Sequence, residues 1–208
     1  MAPALEDQTT TSEMTPAIRV AIDTPGALRR ALGVIRSGGL LVYPTDTLYG
    51  FGCNATNDKA VQNLNRVKSR SGPLSVIAPD PVTALSWTSL PIREFHLIRE
   101  YLGGPRTVII PVKPGIVIDA ILGPENMLGI RIPEAAFILE LADLTGVPIT
   151  TTSVNKSGQR PLNDPAKIME IFSSDIDLLI DAGPLPTSGG SAIYRWRMGK
   201  IELVSDRQ

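Results

Sequence analysis

A chain of 208 residues with 43% hydrophobic and 20% charged side chains can bury one sizeable core, and its composition is neither that of a disordered chain nor that of a membrane protein. A net charge of -1 excludes a surface that is basic all over, so any polyanion site has to be a local cleft. Cys53 is the single cysteine and His96 the single histidine, which excludes a disulfide framework, Cys/His zinc clusters and, unless His96 serves, a Ser-His-Asp triad.

Residues 1–16 are rich in Thr, Pro and acid with little apolar periodicity and are expected to form a flexible tail, leaving 17–208 as one domain. That start lacks the basic and apolar regions of a secretory leader, and no later run reaches about eighteen unbroken apolar residues. A cytoplasmic protein without a membrane segment is expected. The fold begins with the strand-like "IRVAI". Thr24 and Pro25 then offer the cap and first residue of a helix whose stripe is Leu28, Ala31, Leu32 and Ile35, closed by Gly38. "GLLVYP" is a short continuous apolar run of the kind that forms a strand buried on both faces, ended by Pro44.

Asn57 or Asp58 caps a second helix in which Val61, Leu64 and Lys68 share a face, with Ala60 and Val67 beside it. Next come the strand "LSVIA", a helix from Pro91 to Tyr101, the strands "RTVIIPV" and "GIRIP", a helix carrying Phe137, Leu141 and Leu144, and the strand "PITTTS". A helix near "PAKIMEIF" precedes "IDLLIDAG", and "SAIYRW" and "KIELVS" close the chain. This alternation predicts an α/β fold, a mixed parallel and antiparallel sheet flanked by helices, with the last three strands as an antiparallel addition.

Gly50, Gly52 and Ala55 have the G-x-G-x-x-A spacing of a dinucleotide-binding turn. In that motif the first glycine leaves the strand directly and the third small residue lies in the helix, whereas here Pro44 to Tyr49 intervene and the best cap follows Ala55. The glycines therefore read as turn geometry. Thr45 and Thr47 of "PTDT" present hydroxyls at the carboxyl end of a strand, where open α/β sheets bind ligands, although turn residues also bond their own backbone. Lys68 and Arg70 fall at a helix end, where cations complement the dipole and where both could also reach one polyphosphate. "TTTSVNKSG" passes from β-compatible threonines into a donor-rich turn suited to a phosphate or carboxylate. Arg131 inside "LGIRIP" needs either an ion-pair partner or a cleft to face. His96, among Phe95, Leu97 and Ile98, reads as a packed or surface residue.

In this order the pieces resemble the YrdC/Sua5 family of threonylcarbamoyl-AMP synthases. "YPTDTLYGFGCNA" with "AVQNLNRVKSR" is similar to the family's P-T-[DE]-T-x-Y-G-[LF]-G segment and K-x-R helix end, and "GPRTVIIPV", "GIRIP" and "TTTSVNKSG" to its G-P-x-T, V-R-I-P and S-x-N-x-S-G segments. The resemblance implies a YrdC-like sheet with a central cleft and an L-threonylcarbamoyladenylate synthase. Such an enzyme joins ATP, L-threonine and bicarbonate or carbon dioxide, releasing pyrophosphate, for the t6A modification of tRNA. It further implies that Lys68 and Arg70 bind the ATP phosphates, that Ser153 and Asn155 complete the nucleotide site, and that Thr45, Arg131, Thr151 and Ser191 hold L-threonine. Mg²⁺ would be held mainly by the phosphates, with no protein metal site. tRNA and the t6A transfer machinery are the implied further partners. No covalent nucleophile is required; the carbamate is positioned against the α-phosphate and the phosphate charge is stabilised. A non-catalytic paralogue that binds RNA or a nucleotide through the same cleft is the alternative, and a different carbamoyl-adenylate a third.

Three segments depart from the family pattern. The loop after Lys68-Ser69-Arg70 is shorter and lacks the usual asparagine and following histidine, the S-T pair is Ser191-Ala192, and the arginine expected near Ser205 is absent, with Arg207 close by.

Overall fold

The computed structural model describes residues 17–206; the expected tail at 1–16 and Arg207 lie outside the described residues. Ten strands form one mixed sheet: β1 (Ile18–Ala21), β2 (Leu41–Pro44), β3 (Tyr49–Gly52), β4 (Ser75–Ile77), β5 (Arg106–Pro111), β6 (Met127–Arg131), β7 (Ile149–Ser153), β8 (Leu178–Asp181), β9 (Ala192–Arg197) and β10 (Lys200–Ser205). Their order across the sheet is β1-β8-β2-β3-β7-β4-β6-β5-β9-β10. Six α-helices accompany them: α1 (Ala27–Arg36), α2 (Asp58–Lys68), α3 (Pro81–Trp87), α4 (Phe95–Tyr101), α5 (Ala136–Thr145) and α6 (Pro165–Phe172).

The α/β expectation holds, and the mixed sheet explains the sequence pattern of β2. Leu41 and Tyr43 point into one apolar cluster with Ala31 and Ile35 of α1 and Ile138 and Leu141 of α5; Leu40 and Val42 point into the other, with Val61 and Leu64 of α2 and Phe172 of α6. A strand covered on both faces has no polar alternation to show. Phe51 and Phe172 meet edge to face, with ring centroids 5.2 Å apart, which ties β3 to α6.

Six local expectations are corrected. The segment holding Gly50 and Gly52 is the antiparallel strand β3, in which Tyr43 pairs with Gly50 and Leu41 with Gly52. A Cβ at Gly52 would lie 2.5 Å from Tyr43 Cε1 and 3.0 Å from Ile149 Cγ2, and one at Gly50 would lie 3.4 Å from Tyr43 Cζ. These glycines make room for an aromatic ring on the same sheet face, which accounts for them without a nucleotide turn. Asp80 caps an unanticipated helix, α3, its carboxylate accepting from Val82 N at 2.7 Å and Thr83 N at 3.0 Å, with Pro81 at the first helical position. The helix expected over 91–101 divides into a 3₁₀ turn at Ile92–Glu94 and α4. α1 starts after Gly26, in the left-handed conformation at φ 86, rather than at Pro25, and α5 buries Ile138, Leu141 and Ala142 while Leu144 is exposed. β8 is no antiparallel addition: it lies between β1 and β2, parallel to both, and only β9 and β10 close the sheet as a hairpin.

Gly52→Ala should destabilise the protein by about 1–3 kcal/mol, because the buried Tyr43 ring has little room to yield. Gly33→Ala, inside α1 with open space at its Cβ position, should instead stabilise by about 0.5–1 kcal/mol. Urea unfolding of the two variants tests the contrast, and a neutral Gly52→Ala contradicts the packing account.

Candidate active site

Asn57 caps α2 by accepting from Ala60 N at 3.1 Å, which sets the phase of a helix whose buried face is Ala60, Val61, Leu64, Val67 and Lys68. Ser69 then takes the left-handed conformation at φ 52 and the helix unwinds, so Lys68 turns inward while Arg70 lies half-buried at the surface. Lys68 is 2% exposed. Its ammonium donates to Ser153 O at 2.5 Å, Asn155 O at 3.0 Å and Asn155 Oδ1 at 3.0 Å, and sits 5.6 Å from the centre of the Phe51 ring. All three donors are used, none on a carboxylate. Burial, and secondarily the neighbouring Arg70 charge, lowers the Lys68 ammonium to about 8.

The turn that Lys68 grips is bonded throughout. Ser153 Oγ donates to Asn155 Oδ1 at 2.7 Å, Asn155 Nδ2 donates to Gln159 O at 2.7 Å and Lys156 O at 3.0 Å, and Ser157 N returns to Lys68 O at 2.9 Å. Val154 between them is fully buried. The helix end and the turn after β7 therefore form one unit.

On the opposite side of the sheet centre, Arg131 ends β6 with its side chain 7% exposed. Its Nη2 donates to Asp46 Oδ1 and, at 2.8 Å, to Thr47 Oγ1. Asp46 Oδ2 accepts from Glu134 N at 3.0 Å. Both readings of Arg131 are realised, since it is ion-paired and it also lines the cleft. Burial lowers its pKa, and the Asp46 carboxylate works against that shift. Thr45 is 7% exposed; its hydroxyl donates to Leu48 O at 2.7 Å and accepts from Leu48 N at 3.1 Å and Thr47 N at 3.2 Å. It closes the turn while forming cleft wall.

Thr45, Lys68, Arg70, Arg131, Thr151, Ser153, Asn155 and Ser191, the eight residues singled out in the sequence, all line one cleft of about 1100 Å³. Its floor follows the strand register: Thr151 pairs with Ser75, Ser75 with Gly129, Gly129 with Ile109 and Ile109 with Arg195. Gly129 keeps that floor low, since a Cβ there would lie 2.4 Å from Ser75 Oγ. Arg70 Nη2 donates to Pro73 O at 2.8 Å, which folds the short loop back on itself and leaves the guanidinium without a carboxylate partner among the described residues. Ser191 exchanges a 2.7 Å hydrogen bond with Thr107 Oγ1.

Sequence reading of the site missed Asp46 as the partner of Arg131, Thr107 as the partner of Ser191, and Arg195 and Arg197 on the cleft-lining strand β9. The first two stood in the quoted "PTDT" and "GPRT" segments; the arginines carried no local signal. His96 is exposed on α4, away from the residues that line the cleft. Among the described residues no cluster of three or more His, Cys, Asp or Glu could hold a metal, and no helix is long and apolar enough to cross a membrane.

Fold and cleft together define a YrdC-like α/β protein with a cation-lined cleft. The family model described as telomere recombination, covering Sua5, YciO and YrdC, matches residues 33–205, and the chain belongs to that family. It is 34% identical over 174 residues to a putative threonylcarbamoyl-AMP synthase of Methanocaldococcus jannaschii, covering 83% of this chain and 81% of that one. It is 33% identical over 162 residues to the threonylcarbamoyl-AMP synthase of Bos taurus, covering 76% of this chain but 57% of that one. Among solved structures, P. abyssi Sua5 complexed with L-threonine superposes with a TM-score of 0.76 at 26% identity over 91% of this chain and 56% of that one. E. coli YciO shares the fold, with a TM-score of 0.80 at 21% identity over 93% and 96% of the two chains.

The depressed Lys68 pKa sets a direction for stability against pH. Between about 8 and the unfolded value of 10.5 the unfolded chain holds the extra proton, so this residue's contribution to stability rises with pH across that window. Buried Tyr43 and Cys53, both raised, act in the opposite sense above pH 9. The expected result is therefore differential: from pH 7.5 to 9.5 wild type gains stability relative to Lys68→Met in chemical denaturation. Parallel curves for the two proteins contradict the burial of a charged Lys68.

Proposed function

We propose that the chain, as one domain from about residue 17 onward, is a cytoplasmic L-threonylcarbamoyladenylate synthase, a nucleotidyltransferase that makes threonylcarbamoyl-AMP and pyrophosphate from ATP, L-threonine and bicarbonate or carbon dioxide for the t6A modification of tRNA. The observation that carries this reading is the meeting, in one cleft, of a turn gripped by an un-neutralised Lys68 and an ion-paired Arg131 with an amino group left over. The first suits a polyphosphate and the second an amino-acid carboxylate. Relatives named as threonylcarbamoyl-AMP synthases and the L-threonine complex of P. abyssi Sua5 support it.

In this reading Arg70 leaves Pro73 O to bind phosphate oxygens directly. Lys68, with its donors in use, contributes its charge and the fixed geometry of Ser153 and Asn155. Arg131 takes the L-threonine carboxylate, and Thr45, Thr151 and Ser191 enclose the rest of the amino acid. The neutral amine attacks the carbon of carbon dioxide, and as the N–C bond forms one C=O electron pair moves to oxygen and an amine proton is lost to solvent, leaving a carbamate anion. A carbamate oxygen then bonds to the α-phosphorus as the bond to the bridging oxygen of the β-phosphate breaks, and pyrophosphate leaves with that electron pair. The rate advantage comes from alignment and from cations placed where phosphate charge develops. Glu125 and Glu202 are the carboxylates lining the cleft, so Mg²⁺ would arrive as the ATP complex, held mainly by phosphate oxygens.

Purified protein given ATP, L-threonine, bicarbonate and Mg²⁺ should release pyrophosphate in a threonine-dependent way. Arg70→Ala should raise the KM for ATP at least about tenfold, the loss of one charge-assisted contact, with little change in melting temperature. Folded protein that binds ATP or RNA without threonine-dependent turnover sinks the enzyme reading in favour of a binding paralogue.

A further inference from the structure

The Arg131 guanidinium is not held symmetrically. Among the described residues its hydrogen bonds are both made through Nη2, to Asp46 and Thr47, while Nε is buried without a partner and Nη1 has no acceptor and is not fully buried, in a residue that lines the cleft. Asp46 is bonded in two directions, to Arg131 through Oδ1 and to the backbone N–H of Glu134 through Oδ2. Its side chain is 12% exposed, and the bonds join the turn between β2 and β3 to the segment between β6 and α5. The carboxylate therefore fixes the angle at which a buried arginine presents its free amino group. Asp46 is not among the residues that line the cleft, so it acts through Arg131.

We propose that Asp46 is a positioning residue for substrate carboxylate recognition: it turns Arg131 so that Nη1 faces the cleft, and it does so at the cost of the net positive charge that would otherwise attract the carboxylate. This rests on the synthase reading for its substrate, L-threonine. Orientation and charge make opposite predictions. If Arg131 worked through charge alone, removing the Asp46 carboxylate would strengthen anion binding. If its angle decides, the same change weakens binding although the site becomes more positive.

Asp46→Asn keeps an acceptor and the side-chain volume but loses the charge-assisted bond and one of the two directions of attachment. The expected result is a KM for L-threonine raised about tenfold or more, with the KM for ATP unchanged or lower, kcat within about threefold and the melting temperature nearly constant. Asp46→Glu should recover part of the L-threonine affinity, which a purely structural lesion would not do. A KM for L-threonine that stays the same or falls in Asp46→Asn overturns the proposal, as does a parallel rise in both KM values. Equilibrium dialysis with labelled L-threonine separates this from the function itself. Wild type that binds L-threonine more tightly than Asp46→Asn but shows no turnover supports the positioning role and sinks the synthase reading. Wild type that binds no L-threonine overturns the proposal.

Discussion

A buried ammonium with three oxygen partners and no carboxylate is the interaction on which the cleft depends. Burying a lysine is unfavourable unless its donors are satisfied, and here Ser153 O, Asn155 O and Asn155 Oδ1 satisfy all three. The hydrogen bonds are complete but the charge is not balanced. Lys68 thereby fixes the helix end against the turn after β7 and leaves a positive wall that an anion would complete. Arg70, also without a carboxylate partner among the described residues, adds to it.

Arg131 obeys the opposite rule. Its charge is balanced by Asp46, and what it retains is direction rather than field. The cleft thus contains two kinds of cation site, one suited to a multiply charged phosphate chain and one to a single planar carboxylate. Between them runs a sheet surface kept low by Gly129 and edged by the Thr107–Ser191 pair. The rigidity comes from beneath: Tyr43, fully buried, lies against Gly50 and Gly52 and donates to Thr150 O at 3.1 Å, which ties β2, β3 and β7 together beside the cleft.

Much of this was legible in the sequence, for identifiable reasons. The apolar run of β2, the Asn57 cap and the apolar stripe of α2 are local patterns, and they put Lys68 on one face with Val61 and Leu64; the charge at this helix end reads locally as exposed, and its burial at 2% exposure comes from the turn after β7, which local sequence does not show. The antiparallel course of β3 was not legible, because its glycines answer to Tyr43, a residue brought opposite by pairing rather than by local preference. The interior place of β8 was equally hidden: "IDLLIDAG" shows a strand but not its neighbours. In the site, family resemblance gathered eight residues that a single cleft indeed joins, but the division of labour among them lies in partners such as Asp46 and Thr107, which only long-range contacts reveal.

A crystal structure of the full chain with L-threonine and a non-hydrolysable ATP analogue tests the central claim most directly. The account predicts the L-threonine carboxylate on Arg131, and the triphosphate against Arg70 and the Ser153–Asn155 turn with Lys68 still bonded behind it. Phosphates bound elsewhere on the surface, or L-threonine away from Arg131, would contradict it.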